Sequence, residues 1–280
     1  MDGQGVTHIR LAYSGPPHAL RTGLGPRPGV KPENLPSVLV SYVYLKQWLK
    51  SRHEYDVRDW VMDSGAFSAF KSGKRIDLQE FINVCLELQA VDPTLVEVFG
   101  LDVIDSWEAG LRNVEEMWRQ GVRAIPTYHK GEPEEVLLHL GETYPKIAVS
   151  GTGGKPMHRN EKIRFFNQCL SRVWPAKVHG FAVVDAACLR ALPFHSVDSS
   201  SWESGPTKWG TWRTMKGNAK GRMSVRGSKH DLRDEVDWYL SEEQQARVRW
   251  RKQLGHLRGV PEKPGPVAGL GWEQWARLRP

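Results

Sequence analysis

Short apolar runs alternate along the chain with longer segments whose apolar residues recur at helical spacing. The runs predict strands at 7–13, 37–41, 60–63, 96–101, 122–127, 146–150, 178–183 and 194–198. The longer segments predict helices at 44–51, 78–90, 107–120, 134–144, 159–173 and 186–190. Eight strands with helical or loop crossovers predict an α/β fold of the (β/α)8 TIM-barrel type. A doubly wound open sheet is the alternative, because strands are easily miscounted from one sequence.

Polar residues follow several of these runs at the point where each strand ends. Two strands end in Asp-Ser, at Asp63 and Asp198, and others end near Asp102 and at His129. Parallel α/β folds place their chemistry at the carboxyl ends of strands, so we expect Asp63 and Asp198 to meet in one pocket. The alternative is that each strand-end aspartate caps the next helix. Either Asp102 or Asp105 could cap the helix at 107 in this way.

Composition changes after residue 205, and this predicts two parts: a barrel at 1–205 and an extension at 206–280 with a charged helix at 241–257. Between 206 and 230 the chain has seven lysines and arginines and no acidic residue, while the whole chain carries a net charge of +7. Basic residues interleaved with aromatic ones suit a phosphate backbone and an unstacked base. The candidate nucleic-acid contacts are Lys208, Trp209, Trp212, Arg213, Lys216, Lys220 and Arg222. A solvated basic loop is the alternative.

Other features exclude several classes of protein. No apolar run reaches the roughly 18 residues of a membrane span, and the first residues lack the apolar core of a signal peptide. The three cysteines, Cys85, Cys169 and Cys188, are far apart and form no CxxC pair. Neither a disulfide framework nor a zinc site is therefore expected, and the protein is expected in the cytoplasm without a membrane or metal partner.

Several segments of the chain, in the right order, resemble the guanine transglycosylases. Residues 63–67 (DSGAF) are similar to the DSGGFQ motif of the tRNA-guanine enzymes, and residues 148–154 (AVSGTGG) lie where that family has a Gly-rich base-binding loop. The stretch ending at Asp198 lies where it has a nucleophilic aspartate. Residues 128–133 (YHKGEP), 178–181 (VHGF) and 196–202 (SVDSSSW) resemble more closely the DpdA-type branch, which inserts 7-deazaguanines into phage and bacterial DNA. The resemblance covers roughly residues 8–215.

The resemblance implies roles for particular residues. Asp198 would be the nucleophile that traps the sugar as a covalent glycosyl intermediate, as in retaining glycosidases. Asp63 would move the proton of the leaving and incoming base. Asp102 would accept two hydrogen bonds from guanine, and Asp105 is the alternative residue for this role. The further base contacts would be Ser64, Phe67, His129, Gly151, Gly153 and Gly154.

The chain departs from the tRNA enzymes in ways that favour the DNA branch. Their CxCxxC…His zinc site is absent, since no cysteine follows Cys188, and Ala66 and Ser68 replace a glycine and a glutamine of their motif. No cofactor is implied. The expected partners are DNA with the target guanine flipped out or single-stranded, a free 7-deazaguanine base, and accessory modification proteins. An anti-restriction role in the host cytoplasm follows if the protein is phage-encoded.

Three hypotheses therefore stand. The first is a DNA-guanine transglycosylase, and the second is a zinc-less tRNA-guanine transglycosylase of the queuosine type. The third is a barrel that binds nucleic acid without catalysis. Binding of nucleic acid in the first and third should weaken steeply with salt.

Overall fold

Eight parallel strands form the central sheet. The computed structural model describes residues 8–13, 23–151, 157–183, 185–209, 211–214, 221–224, 232–254 and 272. The strands are β1 (His8–Tyr13), β2 (Ser37–Ser41), β3 (Asp59–Asp63), β4 (Leu95–Val98), β5 (Thr127–His129), β6 (Lys146–Ser150), β7 (Lys177–Phe181) and β8 (Ser196–Ser199).

The sheet closes on itself. Its hydrogen-bonded order is β4-β3-β2-β1-β8-β7-β6-β5, so β4 and β5 are the two ends. A parallel bridge between Phe99 and Ile125 joins those ends, with Gly100 N–H donating to Ile125 O at 2.9 Å and Ile125 N–H donating to Val98 O at 2.8 Å. The strand order is thus cyclic, and the predicted (β/α)8 barrel is confirmed.

Helices cover the barrel between successive strands. They are α1 (Leu45–Ser51), α2 (Ala66–Lys71), α3 (Leu78–Val91), α4 (Trp107–Arg119), α5 (Glu134–Thr143), α6 (Arg159–Val173) and α7 (Ala186–Ala191). Helix α4 illustrates the pattern, because Leu111, Val114 and Met117 recur every third residue and all three are buried. The spacing of apolar residues therefore fixes which face of the helix packs on the sheet.

One strand lies later in the chain than its pattern predicts. The apolar run 122–127 predicts a strand, whereas β5 spans Thr127–His129. The amides before it bond locally, with Val122 N–H donating to Met117 O and Ala124 N–H to Val122 O. These bonds hold the run in a tight connection from α4, although Val122 and Ala124 are buried as an apolar run requires.

Inward-facing residues alternate along each strand and divide the barrel interior into three layers. On β3 these residues are Asp59, Val61 and Asp63, and on β6 they are Lys146, Ala148 and Ser150. The middle layer is an apolar cluster, and no strand contributes more than one residue to it. Its members are Ala12, Leu39, Val61, Phe99, Ile125 and Ala148, with Phe181 packed against them. Charged residues lie on one side of this cluster, and a cavity opens on the other.

The chain beyond the last barrel strand forms α8 (Ser201–Trp209), the antiparallel pair β9 (Thr211–Thr214) and β10 (Gly221–Ser224), and α9 (Leu232–Leu254). The predicted charged helix at 241–257 thus begins nine residues earlier, and one face of it is buried, including Val236, Tyr239 and Glu243. Glu243 accepts a hydrogen bond from Ile9 N–H at 2.7 Å, so α9 packs against β1. The domain boundary at 205 stays a prediction.

Among the described residues, no helix is both long and apolar enough to cross a bilayer.

Candidate active site

A cavity of about 720 Å³ opens at the carboxyl ends of the barrel strands. Its floor includes Leu39 and Phe181 of the apolar layer. A cavity of this size is typical of small-molecule sites, and this end of a TIM barrel is where such sites lie. The sequence-predicted residues that line it are Asp63, Ser64, Phe67, Asp102, His129 and Asp198, together with Asp105.

Asp198 lies on β8 and is held by the neighbouring strand. Its Oδ1 accepts a hydrogen bond from Ala182 N–H at 2.8 Å, and it lies 3.4 Å from His179 Nε2. The carboxylate is buried, with 7% of the residue exposed. Burial raises the pKa of Asp198 to about 7, and the hydrogen bond from Ala182 opposes this increase. The side chain can therefore gain or lose a proton near neutral pH.

Asp63 lies at the end of β3, where it accepts a hydrogen bond from Gly65 N–H at 3.0 Å. Burial raises the pKa of Asp63 to about 7, helped by the negative charges of Asp102 and, to a smaller degree, Asp198. The hydrogen bond from Gly65 acts in the opposite direction. The negative charges of both acidic neighbours therefore act on Asp63 and favour its protonated form.

A histidine between two carboxylates forms another part of the cavity wall. His129 Nε2 lies 3.4 Å from Asp102 Oδ2, and His129 Nδ1 lies 3.0 Å from Glu132 Oε1. Glu132 also accepts a hydrogen bond from the His129 backbone N–H at 2.9 Å. Burial alone would lower the pKa of His129, but its bonds to Asp102 and Glu132 outweigh burial and raise it to about 10. The imidazole is therefore a cation at neutral pH, beside the Asp102 carboxylate.

The alternative that the strand-end aspartates cap helices does not hold at these positions. Ser106 caps α4 by accepting from Ala109 N–H, which leaves Asp102 and Asp105 without that role. At the end of β8, Ser199 Oγ accepts a hydrogen bond from Ser201 N–H at 2.9 Å, whereas Asp198 accepts from Ala182 N–H. Serines thus bond at the starts of α4 and α8, and no side chain caps α2, which follows Asp63.

The structure places two residues in this site that the sequence did not single out. Glu132 lies within the quoted 128–133 segment, three residues after His129, and that spacing is the signal that could have found it. Ala182 has a φ of +55°, a left-handed conformation that costs a non-glycine residue about 1–2 kcal/mol. Its N–H bonds Asp198, so the strained backbone supports a cavity residue. No side-chain pattern could have revealed this.

Other predicted site residues are placed less directly. A side chain on Gly151 would come within 2.2 Å of the terminal methyl group of Met157, a flexible side chain that can move aside. The predicted contact of Gly151 with a base stays a prediction. Gly153, Gly154, Lys216 and Lys220 lie outside the described residues. Lys208 and Trp209 are on α8, Trp212 and Arg213 on β9, and Arg222 on β10, and their binding of nucleic acid stays a prediction.

Comparison with known proteins adds little beyond the fold. The sequence matches no protein-family model, and no curated protein matches it. Solved structures with a similar fold include a mutant tryptophan synthase alpha-subunit from Pyrococcus furiosus, with 11% identity, a TM-score of 0.47 and coverage of 88% of this chain and 99% of that one. A putative fructose-1,6-biphosphate aldolase from Coccidioides immitis has 11% identity, a TM-score of 0.48 and coverage of 88% and 90%.

The YdjI aldolase from Escherichia coli K12 is more distant, with 8% identity, a TM-score of 0.32 and coverage of 93% of each chain. At these identities and scores the likeness says nothing about activity, because barrels of this kind host many unrelated reactions. The resemblance to guanine transglycosylases rests on the sequence motifs alone.

Proposed function

We propose that the protein is a DNA-guanine transglycosylase, which exchanges guanine in DNA for a 7-deazaguanine base. The observation that carries the proposal is the meeting of Asp63, Asp102 and Asp198, from three separate strand ends, in one cavity. Exchange of a base needs a nucleophile for the sugar, a proton carrier for the base and an acceptor for the base edge. The cavity offers one carboxylate for each task.

Asp198 is the proposed nucleophile. The hydrogen bond from Ala182 N–H fixes Oδ1 and stabilises the ionised form, as a nucleophile requires. Besides burial, the negative charge of Asp102 raises the pKa of Asp63. We therefore assign the shared proton of the pair to Asp63, where protonation relieves repulsion from Asp102.

Asp63 is the proposed proton carrier, and the reaction is a double displacement. Asp198 attacks C1′ of the deoxyribose, the C1′–N9 bond of guanine breaks, and guanine leaves with the proton of Asp63. The incoming base then gives its N9 proton to the Asp63 carboxylate and attacks C1′, and the bond from Asp198 to the sugar breaks. Each carboxyl ends in the state in which it began, and no redox partner is needed.

Asp102 is the proposed acceptor for the guanine edge, which presents a ring N–H beside an amine. Its neighbour His129 is cationic, and His129 is held in turn by Glu132. This chain of contacts orients Asp102 and keeps a compensating positive charge beside it. Asp105 also lines the cavity but is exposed, so we assign the recognition to Asp102.

The test is an exchange assay on purified protein. DNA and tRNA carrying labelled guanine are incubated separately with a 7-deazaguanine base, and the nucleosides are analysed by mass spectrometry. We expect incorporation into DNA, and a loss of about a thousandfold or more for Asp198→Ala. Denaturing gels of reactions without an acceptor base should show a covalent protein–DNA adduct in the wild type. Glu116→Gln, which removes a carboxylate outside the cavity, is the matched control and should behave as the wild type.

Two results would overturn the proposal. Incorporation into tRNA alone would assign the protein to the tRNA-guanine transglycosylases. Tight, salt-sensitive binding of nucleic acid with neither exchange nor adduct would identify a binding protein. An adduct that persists in Asp198→Ala would leave the reaction in place and refute the choice of nucleophile.

A further inference from the structure

Two aromatic rings on the short helix α2 are exposed beside the cavity. Phe67 and Phe70 are 53% and 54% exposed, respectively. They are three residues apart and therefore lie on the same side of the helix. Exposed apolar surface next to a cavity commonly marks a place of interaction, because its burial by a partner is favourable.

Three cations follow on the same segment. Lys71, Lys74 and Arg75 are exposed, and none forms an ion pair with a carboxylate that the structure describes. Lys71 Nζ lies 4.2 Å from the centre of the Phe67 ring. No acidic residue occurs from 64 to 76, and the next one, Asp77, is occupied as the cap of α3 by accepting from Glu80 N–H. The five residues Phe67, Phe70, Lys71, Lys74 and Arg75 form the α2 patch, with a charge of three positive units.

The α2 patch is continuous with the cavity and firmly attached to it. Phe67 lines the cavity, and α2 begins three residues after Asp63. Gly65 between them has a φ of +75°, and a side chain there would approach Ser41 Oγ to 2.6 Å. This tight turn fixes the start of α2 relative to Asp63. The α2 patch thus begins at a residue that lines the cavity and continues onto exposed residues of the same segment.

Flat rings beside unpaired cations are complementary to one kind of polymer. Bases stack on aromatic side chains, and phosphates bind lysine and arginine, in proteins that hold single strands. We propose that the α2 patch binds the single-stranded DNA next to the nucleotide whose base enters the cavity. Phe70 stacks on the neighbouring base, and Lys71, Lys74 and Arg75 bind its phosphates. The choice of DNA rests on the proposed function, whereas the patch itself does not.

The test measures binding without any base exchange. Fluorescence anisotropy of a labelled single-stranded oligodeoxynucleotide gives the dissociation constant over a series of salt concentrations. Phe70→Ala should weaken binding about tenfold through the lost stacking. The triple variant Lys71→Gln, Lys74→Gln, Arg75→Gln should reduce the slope of log affinity against log salt by about 2, the value for three phosphate contacts to a single strand.

A matched control removes the same charge elsewhere. The control residues are Arg249, Arg251 and Lys252, which are exposed on α9. Arg247 of the same helix contacts His8, which lies at the end of β1 away from the cavity. Replacement of the three control residues by glutamine should change affinity less than twofold. Thermal unfolding monitored by circular dichroism checks that each variant folds, and the seven substituted residues are chosen so that Phe67 and the cavity remain intact.

The outcomes separate this inference from the proposed function. Wild-type affinity in both α2 variants, or an equal loss in the α9 control, would overturn the patch. Binding of an RNA oligonucleotide but not DNA would overturn the choice of DNA. Loss of DNA binding in the α2 variants, in a protein that never exchanges a base, would support the patch while the proposed function fails. Base exchange with an unchanged KM for DNA in the α2 variants would support the proposed function and overturn the role of the α2 patch.

Discussion

Two groups of charged residues lie inside the same barrel and have opposite electrostatic properties. The paired cluster comprises Arg10, Asp59, Glu97 and Lys146, on the side of the apolar layer away from the cavity. The second group comprises two of the carboxylates that line the cavity, Asp63 and Asp198. The first group contains two acids and two bases, and the second contains acids only.

The partners account for the difference, since burial acts in the same direction on the acids of both groups. Burial would raise the pKa of Glu97, but Lys146 Nζ at 2.6 Å and the nearby Arg10 lower it to about 2. Arg10 and Arg58 likewise outweigh burial and lower the pKa of Asp59. Asp63 and Asp198 have pKa values raised to about 7.

A single arginine marks the division between the groups. Arg10 stands opposite Asp198 in the register of β1 and β8. Its guanidinium nevertheless bonds Asp59 and Ser37 and lies 3.6 Å from Glu97. Because the guanidinium of Arg10 pairs with acids of the paired cluster, Asp63 and Asp198 keep their raised pKa values. The acids of the paired cluster are thus ionised at neutral pH, whereas Asp63 and Asp198 can gain or lose a proton near neutral pH.

The largest expected effect comes from breaking the paired cluster. Glu97→Gln leaves the ammonium of Lys146, which is 7% exposed, beside Arg10 without its carboxylate. We expect the free energy of unfolding to fall by about 3 kcal/mol, as for other buried pairs that lose one partner. Urea denaturation at pH 7 measures it.

The control is a double variant in which both partners are replaced. Glu97→Gln with Lys146→Met removes the stranded charge and should recover most of the lost stability. A double variant as unstable as Glu97→Gln alone would show that the loss comes from packing, and the contrast between the two groups would not stand.

The opposite change is expected at the cavity. Asp198→Asn keeps an oxygen to accept from Ala182 N–H and removes the ionisable group. Because folding raises the pKa of Asp198 from 3.8 to about 7, its protonated form stabilises the fold fully below pH 4, and this stability is lost as the pH rises through 7. The variant should therefore be more stable than the wild type at pH 8, on the order of 2 kcal/mol, and equally stable at pH 4.

Urea denaturation of Asp198→Asn and the wild type at both pH values tests this sign. Glu116→Gln again provides the matched control, with no pH-dependent gain expected. A variant that is less stable than the wild type at pH 8 would place Asp198 with the structural charges and would remove the distinction between the groups.

The sequence predicted the strand ends and hence the meeting of Asp63 and Asp198, because both depend on local patterns. A strand must expose or bury alternate side chains, and a parallel barrel brings all carboxyl ends together. The same local patterns predicted Asp102 and His129 at strand ends; His129 ends β5, Asp102 lies in the loop after β4, and both line the cavity.

The partners of these residues could not be predicted in the same way. The donor to Asp198 is a backbone N–H of Ala182, whose left-handed conformation leaves no sign in the side-chain pattern. The position of β5 depends on local amide bonds that compete with the sheet. The burial of Glu243 on α9 involves β1, more than 200 residues earlier in the chain, because Glu243 accepts from Ile9 N–H. Backbone hydrogen bonds and tertiary contacts decide these outcomes, whereas the periodicity of apolar residues reports only local burial.

The smallest expected effect sharpens the comparison within the cavity itself. Glu132 supplies the cavity with a paired charge through His129, so this one contact resembles the paired cluster. Glu132→Gln removes that charge, lowers the pKa of His129 from about 10, and loosens the orientation of Asp102. We expect the KM for the incoming base to rise about fivefold, equivalent to roughly 1 kcal/mol for one hydrogen bond to a charged group, with kcat little changed. The increase should be larger at pH 9 than at pH 7, because His129 then loses its proton in the variant and keeps it in the wild type.

The control is Asp105→Asn, which changes a carboxylate of the cavity rim. Among the described bonds Asp105 contacts neither His129 nor Glu132, so the variant should leave the KM within twofold. An equal effect of both variants, or a fall in kcat alone, would refute the role of Glu132 in positioning Asp102.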